Sequence, residues 1–293
     1  MPALMILGLR RSGTTAFWKQ FRRDRNLKCF DEPFSEQLIR LPSEHPKMVW
    51  SEYRDIFDLD PSLFWRYYAP IHRVEELRSD FHPRQATYIN WLAQQSKNTV
   101  FDLTRCHLKL EALSELLPDA RVIHLKRSRS AFTSSHLIPS RSGRFGKLRS
   151  LGYTRSFWDR KSGFDSWGME SLAGTSPASA FGLGIGRLGG DAEAFYRAPA
   201  CVRLGVMWEW FGWHVDREGP RLFGSRFASV SFESFTRDPE NVVRSLCEKI
   251  AFPEPVGHEL NSVRIASNGY RPSDARWKSV EEQIQAILPV GDC

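Results

Sequence analysis

Apolar residues along this chain fall into short unbroken blocks. Polar turns separate them, as do longer stretches in which apolar positions recur every three or four residues. The first block, Ala3–Leu7 (ALMIL), has no polar position, the pattern of a strand buried on both faces. A turn over Gly8–Gly13 follows, and then a predicted helix over Thr14–Arg22. Thr99–Leu103 (TVFDL), Arg121–Lys126 (RVIHLK) and Phe227–Phe232 (FASVSF) are predicted as further strands. Helical spacing predicts helices over Leu108–Leu117, Ala192–Asp216, Pro239–Ile250 and Trp277–Ile287, and a loop running into a helix over Arg127–Leu137. An aromatic seam is expected at Trp208, Phe211 and Trp213. Cys29–Phe34 (CFDEPF) reads as extended or turning, since Pro33 disfavours a helical conformation just before it.

Strands that alternate with helices imply an α/β fold: three layers, α/β/α, around a mostly parallel sheet, in one domain over residues 1–293. Right-handed crossovers would place the Gly8–Thr15 turn at the carboxyl edge of that sheet, where ligands bind in such folds. Residues of about 139–190 are rich in Gly, Ser and Arg, and read as an irregular, lid-like insertion.

Composition narrows the classes of function. The 41 basic and 34 acidic side chains leave a formal charge of +7, which suits an anionic ligand or surface. No compact tract interleaves basic and aromatic residues, so no nucleic-acid partner is expected. Cys29, Cys106, Cys201, Cys247 and Cys293 are scattered, odd in number and without a CxxC, which reads as free thiols in a reducing compartment. The apolar run at Leu4–Leu9 is too short for a signal peptide, and no stretch is long enough to span a bilayer. A cytoplasmic location is expected, with peripheral contact at the cytoplasmic membrane face left open. Oligomeric state is not legible.

The chemistry is concentrated in two places. The first is Gly8–Thr15 (GLRRSGTT), close to the phosphate-loop pattern GxxxxGK[ST], with Thr14 in the lysine position. Binding a phosphate does not need that lysine, because glycines let backbone N–H groups point inward and the helix adds its positive end. Hydroxyls of Ser12, Thr14 and Thr15 add donors, and Arg11 supplies a planar fork for oxyanions. The second place is HLKRSRSAFTSS, where the strand RVIHLK ends in Lys126, Arg127 and Arg129, with Ser135 about two helical turns further on. Two anion sites at strand ends suggest a ligand with two separated phosphates.

Together these stretches resemble the P-loop sulfotransferases, which use 3′-phosphoadenosine 5′-phosphosulfate (PAPS), most closely the bacterial, carbohydrate-type and tyrosylprotein-type members. In that family a loop of the form R/K-S-G-T-T holds the 5′-phosphosulfate; here it is Arg11-Ser12-Gly13-Thr14-Thr15, with Arg10 beside it. An arginine closing a strand and a serine eight residues later hold the 3′-phosphate; here they are Arg127 and Ser135. The usual Asn/Asp-Pro after that arginine is replaced by Ser128-Arg129. VSFESFTRDPENVV is similar to a later family segment, with Phe232 in place of its tyrosine, while Glu233, Asp238 and Pro239 match. The resemblance implies a P-loop NTPase-like sulfotransferase fold and transfer of a sulfuryl group to an acceptor hydroxyl, with adenosine 3′,5′-bisphosphate as the product.

Negative charge developing on the departing phosphate calls for donors, a task the resemblance gives to Arg11. No metal is required on this reading, because no carboxylate pair accompanies the loop. Two residues compete as the base: Glu32 in FDEPF, preferred on spacing and local sequence, and His107 in LTRCHLKL. Histidine has the better unperturbed pKa, whereas glutamate needs burial or help. Glu32 could instead pair with Arg105. Arg141–Lys161, with Phe145, Tyr153, Phe157 and Trp158, reads as an acceptor lid that favours a carbohydrate or glycolipid over a tyrosine peptide, with a small phenol or secondary metabolite left open. Two other readings stay open: a small-molecule or nucleoside kinase using ATP and magnesium, and a non-catalytic nucleotide-binding module.

Overall fold

A computed structural model of the chain describes residues 2–44, 53–138, 153, 156–162, 168–256 and 274–290. Five parallel strands form its sheet: β1 (Ala3–Leu7), β2 (Lys28–Phe30), β3 (Thr99–Leu103), β4 (Arg121–Lys126) and β5 (Phe227–Ser231), in the order β2-β3-β1-β4-β5. β1 is central. Its residues pair with Thr99–Leu103 on one side and with Arg121–His124 on the other.

Every residue of β1 and β3 is buried, because both faces of the sheet are covered. Alternate side chains feed two cores. Ala3, Met5, Leu7, Phe101 and Val122 join Phe30, Tyr88 and Leu113 on one face. Leu4, Ile6, Val100, Ile123 and Leu125 pack on the other with Phe17, Trp18 and Phe21 of the Thr14–Phe21 helix. Each such large side chain contributes roughly 1.5–3 kcal/mol by leaving water.

Contacts group the chain into two compact units, Met1–Lys126 with Val215–Val263, and Arg127–His214 with Arg264–Cys293, where the sequence reading takes one domain over 1–293. The sheet belongs to the first unit. The second is helical in its described residues, with Arg129–Leu137, Met169–Ala173, Ala180–Arg187, Ala192–Arg197 and Asp274–Ile287. The Ala200–Phe223 helix begins in this unit and ends in the first.

Two sequence expectations need correction. The helix expected over Ala192–Asp216 is two helices, Ala192–Arg197 and Ala200–Phe223. Pro199 forces Ala198 into an extended conformation (φ −70°, ψ 155°), and the chain turns there. The stretch at about 139–190 is not irregular throughout. Met169–Ala173 and Ala180–Arg187 are helical, and Ser179 Oγ caps the second by accepting from Gly182 N–H at 3.1 Å. Phe181 packs there against Phe195 and Trp210, and that burial outweighs the low helix propensity of three glycines. Residues 139–152, 154–155 and 163–167 of this stretch lie outside the described residues. The CFDEPF segment, expected to be extended or turning, does both: β2 runs to Phe30 and a turn follows.

Candidate functional site

The Gly8–Gly13 turn leaves the carboxyl end of central β1 and enters the Thr14–Phe21 helix. Ser12 N–H donates to Leu9 O at 2.9 Å, which closes the turn. Arg11 (φ 71°) and Gly13 (φ 92°) are both left-handed. Left-handed residues inside a turn are an ingredient of backbone nests that bind anions, and a helix N-terminus adds its dipole. Gly13 is the N-cap and has no side chain to claim the helix's first N–H groups. The Ser12 and Thr14 side chains are buried, and Thr15 is half-buried.

The two arginines of the loop have different surroundings. Arg10 is buried and forms an ion pair with Glu76, whose Oε1 also accepts from Arg105 Nη1 at 2.7 Å. Arg10 therefore ties the loop to a segment 66 residues away, a partnership with no signal in the local sequence. It also means that Arg105 pairs with Glu76 and not with Glu32. Arg11 is half-buried, and burial pulls its pKa below the usual arginine value.

Glu32 follows β2 and has a φ of 37°. With Phe34, Asp102, Leu103, Thr104 and Arg105 it lines a narrow cleft with no room for a water molecule. Asp102 lies on β3 opposite Ile6 of β1 and is 0% exposed. Burial, and then the charge of Glu32, push its pKa from 3.8 up to about 8, while Thr14 and Asp31 draw it back. The expectation that no carboxylate pair accompanies the loop is thus corrected. Because β3 lies between β1 and β2, Asp102 stands beside Thr14, and the turn after β2 brings Asp31 and Glu32 to the same corner. Among the described residues, no group of three or more His, Cys, Asp or Glu side chains is placed to hold a metal ion. Sequence reasoning passed over Asp102. The available signal was a lone aspartate inside the apolar block TVFDL, since a buried carboxyl calls for a reason.

His107 is 3% exposed, between β3 and the Leu110–Leu116 helix, with its ring 6.5 Å from that of His124. His124 Nδ1 is 2.9 Å from Asp216 Oδ1, and Lys126 Nζ is 2.7 Å from Asp216 Oδ2. Lys109 is fully buried and donates to the carbonyls of Glu75, Arg78 and Asp80 at 2.9, 2.9 and 2.7 Å. It straps the same segment that carries Glu76.

In the second unit, Arg127 lies just before the Arg129–Leu137 helix and is half-buried, and its carbonyl accepts from Trp208 Nε1 at 2.9 Å. Ser135 Oγ donates to Phe132 O at 2.7 Å. Arg129 forms an ion pair with Glu209 and lies over the Trp208 ring. Of the expected aromatic seam, Phe211 is buried while Trp208 and Trp213 are half-buried. Of the aromatic residues read as an acceptor lid, Phe157 is fully buried, Tyr153 lies under Arg160 and Trp158 under Arg276. Phe145 lies outside the described residues. The four described cysteines are free and buried.

The model of the sulfotransferase family matches residues 2–160, a span that holds the loop, Glu32, Asp102, His107, Arg127 and Ser135. No curated protein matches the chain. Similar solved structures include a sulfotransferase from Alicyclobacillus acidocaldarius, 11% identical, covering 100% of this chain and 97% of that one at a TM-score of 0.40. Another is the sulfotransferase domain from the curacin biosynthetic pathway, 14% identical, with coverages of 92% and 80% and a TM-score of 0.46. A third is sulfotransferase STF1 from Mycobacterium tuberculosis H37Rv, 14% identical, with coverages of 96% and 76% and a TM-score of 0.41.

Proposed function

This chain belongs to the sulfotransferase family, and we propose that it transfers a sulfuryl group from PAPS to an acceptor hydroxyl by in-line displacement. The observation that carries the reading is the loop: a turn left-handed at Arg11 and Gly13, set between the central strand and a helix N-terminus. Such a turn, with buried Ser12 and Thr14 hydroxyls, fits a phosphate or sulfate group without a lysine.

In the proposed reaction the acceptor oxygen bonds to sulfur, and the bond from sulfur to the bridging phosphate oxygen breaks. The electron pair leaves with adenosine 3′,5′-bisphosphate, and the hydroxyl proton passes to a base. Arg11, the Gly13 N–H and the Thr14 and Thr15 hydroxyls face the charge that develops on the leaving phosphate. Arg10 serves the donor through its ion pair with Glu76, which braces the loop. Arg127 and Ser135 hold the 3′-phosphate. Glu32 is the base. Its half-exposed position in a cleft and its positive φ support this, because strained backbone gathers at functional positions. His107, the other contender, is buried.

A sugar or glycolipid is the favoured acceptor, on the aromatic and basic composition of Arg141–Lys161. A reducing, cytoplasmic setting agrees with the four buried free thiols. Among the described residues, no helix is long and apolar enough to cross a membrane.

Calorimetric titration with adenosine 3′,5′-bisphosphate tests the donor, with adenosine 5′-monophosphate and ATP plus magnesium as controls. Tight binding that needs the 3′-phosphate is the expected result. A preference for ATP with magnesium would overturn the PAPS reading in favour of a kinase-like activity.

A further inference from the structure

Asp102 has no part in the chemistry above, yet it occupies the most enclosed polar position beside the loop. It is wholly buried on β3. Its side-chain neighbours are Thr14, the first residue of the loop's helix, and Asp31, while Glu32 shares its cleft. From its own segment Thr104 and Arg105 complete the cleft wall, and Arg105 is committed to Glu76. The charged groups around Asp102 are thus Asp31, Glu32 and, in the cleft wall, Arg105, in the corner where the loop, which carries Arg10 and Arg11, is read as taking an anion. Like charges in a shared low-dielectric site cannot all be ionised.

We propose that Asp102 is a positioning residue that must hold a proton for the Gly8–Thr15 loop to accept an anionic ligand. As a neutral acid it can donate a hydrogen bond to the Thr14 hydroxyl or the Asp31 carboxylate, which leaves the helix N-terminus electropositive. Once ionised, it adds a buried negative charge next to Thr14 and drives the anion out. Burial and the Glu32 charge, which raise the Asp102 pKa, support this: the proton is held to a higher pH than on an exposed carboxyl. The inference rests on the reading of the loop as an anion site, but not on PAPS being the donor.

The test uses the full chain and Asp102→Asn, which keeps the shape and cannot ionise. Without ligand, urea unfolding is followed across pH. The native wild type holds a proton that the unfolded chain releases above about pH 3.8, so its stability falls as pH rises from there towards about 8. Asp102→Asn lacks that fall. Equal pH dependence in the two proteins would overturn the proposal.

Calorimetry then follows binding of adenosine 3′,5′-bisphosphate and of inorganic pyrophosphate from neutral to alkaline pH. One linked proton predicts that wild-type affinity weakens by about tenfold per pH unit beyond the Asp102 titration, and that Asp102→Asn does not share this slope. Parallel slopes would overturn the gate even if the stability difference is found. No binding of either probe to either protein at any pH would overturn the anion-loop reading, and the gate with it. Binding of pyrophosphate with the proton linkage but no preference for the bisphosphate would sink the PAPS reading alone. Should Asp102→Asn fail to fold, wild-type titrations in buffers of different ionisation enthalpy count the protons directly. Uptake approaching one proton at alkaline pH is expected, and zero uptake overturns the proposal.

Discussion

A Cβ placed on Gly13 would lie 2.2 Å from the ring of Phe232, and Gly13 itself has a φ of 92°. Two independent constraints therefore demand glycine there, one backbone and one steric. Phe232 opens the Phe232–Arg237 helix directly after β5, so the far edge of the sheet packs on the loop. Gly13→Ala is expected to lower stability by about 2–3 kcal/mol and to abolish nucleotide binding. Urea denaturation measures the first effect and calorimetry the second. Adding Phe232→Leu should recover only the steric share, since the left-handed backbone remains. A Gly13→Ala protein as stable as wild type would contradict a left-handed turn packed on Phe232.

Glu32 and His107 are separated by their accessibility. Glu32→Gln is expected to reduce kcat about 10²- to 10⁴-fold while affinity for adenosine 3′,5′-bisphosphate stays near the wild-type value. His107→Ala should act mainly through stability, because the ring is buried. A fully active Glu32→Gln beside a folded but inactive His107→Ala would reverse the assignment.

Arg127→Ala should weaken binding of nucleotides that carry a 3′-phosphate by roughly 10- to 100-fold, the loss of a charged hydrogen bond. Adenosine 5′-monophosphate, which has no 3′-phosphate, should bind as before. An unchanged preference for the bisphosphate would show that Arg127 does not read that group.

Glu76 Oε1 accepts from both Arg10 and Arg105, and all three side chains are largely buried. Glu76→Gln leaves two guanidinium groups without their shared carboxylate. A loss of about 3 kcal/mol is expected in urea melts. It should be accompanied by weaker nucleotide binding, because Arg10 belongs to the loop. Wild-type affinity in a destabilised Glu76→Gln protein would confine the triad to a structural role.

Asp216 carries a pH signature. Burial alone would raise its pKa, but His124 and Lys126 bring it down to about 2 from 3.8. The folded pKa lies below the unfolded one. The stabilisation is therefore present above about pH 4 and is lost as pH falls through about 2. Asp216→Asn should flatten that acid limb of the stability profile, measured by urea midpoints at each pH. A steep acid limb in the variant would locate the effect in other carboxylates.

Much of this architecture was legible in local patterns. Short, mainly apolar blocks marked β1, β3 and β4 with their observed bounds, because strands covered on both faces are rich in apolar side chains. Asp238 and Pro239 announced the start of the Pro239–Lys249 helix, since a capping oxygen and a proline at the first helical position act within a few residues. The loop was visible for the same reason: its glycines and hydroxyls are contiguous and answer to local geometry. Pairings across distance were not visible. Local sequence placed Arg10 and Arg11 side by side as equals, and only the folded chain assigned Arg10 to Glu76 while leaving Arg11 in the left-handed turn. It also gave no sign that Thr14, Asp31 and Glu32 would gather around Asp102. That depended on β3 inserting between β1 and β2, a choice of strand order set by the packing of the whole sheet. The sequence by itself determined which segments become strands and helices and where an anion can be held, because those follow from short-range sterics and periodicity. The tertiary structure decided which charges face one another, because burial and Coulomb energy depend on neighbours that the chain brings together only when folded.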